Sequence, residues 1–217
     1  MKKIIIFGIK DFAELAHYYL ENDSPYEVVA FSTSQEFMPK DQYFRGLPIV
    51  SFEEVEMSFP PSEYDFFAPM APNKMNRVRE HIYIKIKSKG YNLISYVSSR
   101  ATLFDNVIGD NCFILENNTI QPFASIGNNV ILWSGNHIGH HSVIKDHVMF
   151  TSHVVLSGHC IVESNCILGV NSTIRDGVTI NEGTFVAMAA SVVKSTESWE
   201  MYKGNPATKG LRTTKEF

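Results

Sequence analysis

The chain has only three cysteines and two tryptophans in 217 residues. Three thiols do not make an even disulfide framework, so a disulfide-held secreted scaffold is disfavoured and a reducing compartment fits. The formal charge is −4, and no long Lys/Arg run offsets it, which argues against a general nucleic-acid surface. No apolar run is long enough to span a membrane. The opening residues 1–8, MKKIIIFG, look like the start of a signal peptide, but the apolar run is short and leads into Lys10, Asp11 and Glu14. They read as a first strand, and the protein as cytoplasmic.

What the chain does have is a repeat. From Val107 to Thr196 the sequence advances in steps of six. Lead apolar residues run Ile108, Ile114, Ile120, Ile126, Leu132 and onward in sixes to Val192, giving fifteen hexads without an insertion. Four residues after each lead lies a small or β-branched residue, as at Cys112, Ala124, Val130, Cys160 and Thr196; all three cysteines occupy this position. No α-helix keeps a period of six, whereas a triangular coil of three short strands does. Three hexads make one coil of 18 residues, so fifteen make five coils. Asn, Gly and Asp recur at the corners, where tight turns are needed. The expected fold is a parallel β-helix.

Residues 1–98 follow another rule. Strands are expected at Lys3–Phe7, Glu27–Phe31, Pro48–Val50, Tyr64–Ala68 and Tyr91–Tyr96. Helices are expected at Asp11–Glu21 and Asn73–Lys89, with a helical turn at Glu53–Met57. This alternation predicts a small, parallel, Rossmann-like α/β domain. Three regions follow: an α/β domain over 1–98, the β-helix over 107–196, and a closing segment over 197–217.

Six of the eight histidines crowd between His137 and His159. The 18-residue coil puts His141 in line with His159, and His140 with Gly158. His141, His147, His153 and His159 share one hexad position but fall on successive corners, so they form no single metal array. A histidine with a pKa near neutrality suits removal of a proton from an amine or an alcohol. A backbone N–H at Gly158 suits the oxyanion that follows, although a glycine needed for the corner is the alternative. Trp133 and Asn136 stand one strand earlier, either walling a sugar pocket or packing and holding the corner. In the first domain, Gly8, Ile9, Lys10 and Phe12 form a strand–turn–helix entrance able to cradle phosphate. Ser32-Thr33-Ser34, after the second strand, lacks the acidic residue of a dinucleotide site. Ala187, Met188 and Ala189, with Ala190, make a narrow wall, and Lys194, Lys203 and Lys209 are candidate partners for a charged cofactor tail or else ordinary solvated lysines.

With these residues and the tail Gly204-Asn205-Pro206-Ala207, the chain resembles bacterial nucleotide-sugar N-acyltransferases related to the sialic-acid O-acetyltransferase type, in the hexapeptide-repeat superfamily. The resemblance covers nearly the whole chain. It implies a left-handed β-helix, a homotrimer with active sites at subunit interfaces, and acetyl-CoA as cosubstrate. It also implies transfer of acetyl to the amine of a nucleotide-linked amino-dideoxyhexose, a 4-amino-4,6-dideoxyhexose in the characterised members. His140 takes the place of the base, and Gly158 that of the amide contacting the acetyl carbonyl. Relatives commonly follow the base with Glu; this chain has His141, as an orienting group or an interface residue. The glycine-rich nucleotide loop of relatives survives here clearly only at Gly8. No resident metal, nucleic acid or membrane partner is expected. The rival readings are a sugar O-acetyltransferase on the same scaffold, a zinc-dependent carbonic-anhydrase-like β-helix, and a noncatalytic repeat scaffold.

Overall fold

The computed structural model describes residues 3–216. The apolar runs of the first third form β1 (Lys3–Phe7), β2 (Glu27–Thr33), β3 (Tyr43–Phe44), β4 (Leu47–Ser51) and β5 (Tyr64–Phe67). Their order is β3-β4-β2-β1-β5, parallel except for the β3–β4 hairpin at the edge. The purely parallel sheet expected from the alternation is therefore mixed. Helix α1 spans Asp11–Asp23, α2 Val55–Ser58 and α3 Arg77–Ser88. Helix α3 starts later than the periodicity predicts because Lys74, Met75 and Asn76 take left-handed conformations, which an α-helix cannot contain.

The hexads form fifteen two-residue strands from Val107 to Val192. Pairing at an offset of eighteen sorts them into three parallel faces. Face I carries Phe113–Ile114 and Ile131–Leu132 onward to Phe185–Val186; face II runs from Thr119–Ile120 through His137–Ile138 to Ser191–Val192; face III runs from Val107–Ile108 through Ser125–Ile126 to Thr179–Ile180. The prism is the left-handed β-helix of hexapeptide repeats. Lead residues such as Ile120, Leu132, Phe150 and Leu156 are fully buried inside it, each contributing about 1.5–3 kcal/mol relative to exposure. The thiols fill the same interior. Burial pushes Cys112 and Cys166 up to about 12 and raises Cys160, so none supplies a thiolate nucleophile at neutral pH.

The third residue after the lead has positive φ at fourteen successive corners, from Asn111 (φ 53) to Ala189 (φ 56). Asn and His tolerate this region far better than β-branched residues do. Asn or His fills it at Asn111, Asn117, Asn129, Asn165 and Asn171 and at His141, His147, His153 and His159. Much of the histidine crowding is thus a corner requirement.

The segment expected as a last strand of the α/β sheet behaves differently. Leu93 makes only an isolated bridge to Phe66. Tyr96–Val97 pairs with Phe113–Ile114 and opens face I, and Thr102 bridges Thr119 on face II. The β-helix ladder thus begins ahead of Val107. At the other end, Glu200–Lys203 extends face I and pairs with Thr208–Thr213. Gly204-Asn205-Pro206-Ala207 turns between these strands, its backbone bonded to Ser191 and Ala207 packed on the prism core.

Face I is covered by the α/β unit. Its outward residues Phe113, Ile131, Met149 and Ile167 join Ile4, Ile6, Leu20 and Phe67 in one buried cluster. Helix α3 sits at the corner between faces III and I. There Arg79, fully buried, donates to the carbonyls of Asn129, His147 (3.1 Å) and Val148 (3.3 Å). Burial lowers its guanidinium to about 9, still protonated at neutral pH. Asn165 donates to Glu80 (2.8 Å), Asn129 meets His147 Nδ1 (2.9 Å), and Asn111 exchanges bonds with the backbone of Ala68. The same corner residues that turn the coil therefore hold the α/β unit.

Two outcomes follow from this packing. Replacing Arg79 by Ala leaves buried carbonyls without their donor, and should cost about 2–4 kcal/mol in chemical denaturation. At the end of α1, hydrogen bonds from Ser99, Tyr96 and Ser98 hold the Asp23 carboxyl at about 2, below its ordinary 3.8. Its contribution is complete above about pH 4 and is lost as pH falls toward 2. The Tm gap between wild type and Asp23→Ala should therefore be open at pH 7 and close between pH 4 and 2.

Candidate active site

The corner between faces II and III carries His140. The offset of eighteen stacks Pro122, His140, Gly158, Asp176 and Lys194 in one column, and Phe123, His141, His159 and Gly177 in the next. His140 is exposed, and its backbone N–H donates to Gln121 Oε1 (2.9 Å). Its Nδ1 faces His141 Nδ1 at 3.1 Å. Its ring lies over Gly158, where a Cβ would come within 2.8 Å of both Cε1 and Nε2 and 3.0 Å of Asp176 Oδ1. Gly158 has no positive φ, so its value is the close approach of the imidazole, not the corner conformation proposed as its alternative role.

The amide at this corner position points away from the coil-to-coil ladder. Side chains take it at Asp110, Asn128 and His140. The N–H of Gly158 makes no hydrogen bond among the described residues. Gly158 is thus a buried glycine packed between the His140 ring and Asp176 Oδ1, with a backbone N–H that has no protein partner among the described residues.

His141 lies between two rings: Phe123 (4.7 Å between centroids) and His159 (4.9 Å, interplanar angle 15°). His140, His141 and His159 each bring one ring nitrogen within 4.8 Å of the others, all from exposed residues. His147 belongs elsewhere, at the corner held by α3, and His153 is on the corner between faces I and II, its ring over Gly135.

Apart from Lys194, the remaining sequence-derived residues fall away from this column. Gly8 has φ 111 and donates to Ser32 O (2.8 Å), so the turn leaving β1 needs glycine. Ile9 and Lys10 follow it, with the Lys10 carbonyl accepting from Ala13 and Glu14 at the start of α1. Phe12 packs edge-on against Trp133 (5.5 Å), so both rings hold the α/β unit to the corner between faces I and II. Asn136 is buried; its amide donates to Trp133 O and accepts from Val154 N (2.8 Å). That makes it a buried corner ladder residue, out of a substrate's reach, a correction to its candidacy. Ala187, Met188 and Ala189 lie lower on this same corner, with Met188 74% exposed. Lys194 is exposed in the His140 column, and Lys203 is exposed beside the tail. Lys209 pairs with Glu197 (2.7 Å) and Glu200 (3.4 Å).

The two candidate groups therefore sit on different corners: the Gly8 loop beside the I/II corner and the His140 column on the II/III corner. The sequence reading missed Gln121, Phe123 and Asp176. Counting eighteen from His141 and Gly158 finds Phe123 and Asp176. Nothing in the repeat marks Gln121, which reaches His140 from outside the column.

Comparison with known proteins agrees with this architecture. Residues 107–140 match the family model described as bacterial transferase hexapeptide (six repeats). No curated protein sequence matches the chain. A variant of perosamine N-acetyltransferase from Caulobacter crescentus, solved with CoA and GDP-perosamine, superposes with a TM-score of 0.84 at 19% identity, covering 97% of each chain. The acetyltransferase domain of PglB from Neisseria gonorrhoeae, solved with acetyl coenzyme A, gives 0.82 at 18% identity, covering 96% of this chain and 98% of that one. WeeI from Acinetobacter baumannii gives 0.80 at 20% identity, covering 95% and 98%. Over nearly its whole length the chain therefore shares the fold of these acetyltransferase structures, with the hexapeptide match confined to residues 107–140.

Proposed function

We propose that the protein is an acetyl-CoA-dependent N-acetyltransferase acting on the amine of a nucleotide-linked amino-dideoxyhexose, in the cytoplasm, as a homotrimer. The observation that carries the reading is the exposed His140 ring packed against Gly158, a glycine whose N–H has no protein partner among the described residues. The fold shared with a perosamine N-acetyltransferase bound to CoA and GDP-perosamine supports the substrate class.

The chemistry needs only these groups. The sugar amine attacks the thioester carbonyl while His140 Nε2 takes its proton. Gly158 N–H stabilises the oxyanion of the tetrahedral intermediate. The C–S bond then breaks, and the departing sulfur of CoA receives the proton from the imidazolium. A proton on His140 Nδ1, donated to His141 Nδ1, leaves Nε2 with its lone pair. His141 thus orients the base in place of a carboxylate. Asp176 contributes negative charge near the arriving ammonium. The buried thiols take no part.

The Gly8–Phe12 turn receives the nucleotide, and Lys194 and Lys203 with the Ala187–Ala189 corner receive CoA. Because the half-sites occupy different corners, a neighbouring prism completes each site. Faces II and III support this assembly: they lack the cover that face I has, and their corners expose Phe123 (75%) and Met188 (74%).

The test is release of CoA from acetyl-CoA with a panel of UDP-, dTDP- and GDP-linked amino and hydroxyl sugars. Turnover of an amino sugar supports the reading; turnover of a hydroxyl sugar alone makes it an O-acetyltransferase, and neither turnover nor CoA binding rejects acyl transfer. His140→Ala should lower kcat about 10²–10⁴-fold with substrate binding retained. Gly158→Ala should fold normally yet lower kcat at least about tenfold, since its Cβ displaces the imidazole from its near-attack position. Mixing His140→Ala chains with chains impaired at Gly8 should restore activity if the sites are shared between subunits; no restoration would mean each chain acts alone.

A further inference from the structure

We propose that His140, His141 and His159 form a binding site for a borderline divalent ion such as zinc, and that occupancy switches the base off. That the occupied site is inactive rests on the acyl-transfer reading above; the binding itself does not.

Three features of the II/III corner point to a cation. The ring nitrogens of the three histidines already lie within 4.8 Å of one another. Tetrahedral zinc with imidazole ligands spaces its nitrogens about 3.3 Å apart, and His140 Nδ1 and His141 Nδ1 stand at 3.1 Å. In this pair two in-plane nitrogens face each other. A single proton satisfies them only when one ring donates and the other accepts; a divalent ion satisfies both lone pairs at once. The third feature is charge: Asp176 Oδ1 lies on the far side of the Gly158 gap from the His140 ring, adding an anion to a set of neutral ligands.

The backbone makes the site inexpensive to close. His141 and His159 occupy left-handed corner positions (φ 57 and 55), and the His159 N–H is bonded to His140 O at 2.9 Å. The main chain is thus fixed while the exposed rings stay free to turn. His159 leaves its stack on His141 to complete a three-nitrogen set, with the fourth position open to water, as borderline ions accept.

The consequence for His140 follows from its tautomer. An ion bound at Nδ1 forces the remaining ring proton onto Nε2. The nitrogen over Gly158 then carries hydrogen and has no lone pair for the amine. Zinc would stop acetyl transfer by removing the base, with CoA and nucleotide affinity retained.

Cobalt(II) titration of the whole protein, followed by visible d–d absorption, reads binding without any acetyl transfer. The expected result is one ion per chain with a low-coordinate nitrogen-ligand spectrum, displaced by zinc. His159→Asn and His141→Asn should weaken uptake by an order of magnitude or more. Asn already fills the same left-handed position at Asn129 and Asn165, so both variants keep the fold. His153→Asn, the same corner position outside the cluster, should leave uptake unchanged. Absent cobalt binding, uptake indifferent to His159→Asn and His141→Asn, or loss in His153→Asn would each overturn the site. If cobalt binds as described but no sugar is ever acetylated, the metal site stands and the acyl-transfer reading falls.

Discussion

Everything in this molecule depends on the offset of eighteen residues between hydrogen-bonded coils. Each two-residue strand is far too short to be stable alone, and gains its backbone partners only from the coils above and below. Holding that offset through five coils requires every corner to turn by the same amount. A residue in the left-handed region at each turn does this, from Asn111 to Ala189. Because the period never slips, like positions stack into columns. Columns, not neighbours in sequence, therefore decide which side chains meet.

One column is buried and another exposed, although they use the same residue types. At the III/I corner, Asn111, Asn129 and His147 are buried and their polar groups are occupied by one another, by Ala68 and by Arg79. The two terminal nitrogens of the buried guanidinium donate to carbonyls on three residues, and this fixes where α3 docks. At the II/III corner, His141 and His159 take the same backbone conformation but face outward beside His140. Their environment, not their place in the hexad, separates the two roles. The α/β unit covers one corner and leaves the other open.

That cover also separates the two candidate groups. The α/β unit buries face I through Phe113, Ile131, Met149 and Ile167, and its Gly8 turn is carried on the far side of face II from His140. Phe123 and Met188 remain exposed apolar side chains on the two corners that flank face II.

The sequence by itself determined the prism, its five coils and its columns, because a strict period of six admits no other regular structure. It determined that His140 meets Gly158 and that His141 meets His159, since both follow from counting eighteen. It also located β1, α1, β2 and β5 closely, where alternation and apolar spacing are strong. Only the tertiary structure decided which corner stays open, because that depends on where a separately folded sheet docks. It placed Tyr96, expected in the α/β sheet, on face I together with Val97, where the first rung of the prism offers backbone to pair. It turned Asn136 from a candidate ligand into a buried corner donor, because the small-residue position of the hexad points inward. It brought Gln121 to the His140 amide through side-chain reach alone, which no period encodes. The roles of the histidines were therefore only half legible: the repeat fixed their places, and the docking of the first ninety-odd residues decided which of them remain free to do chemistry.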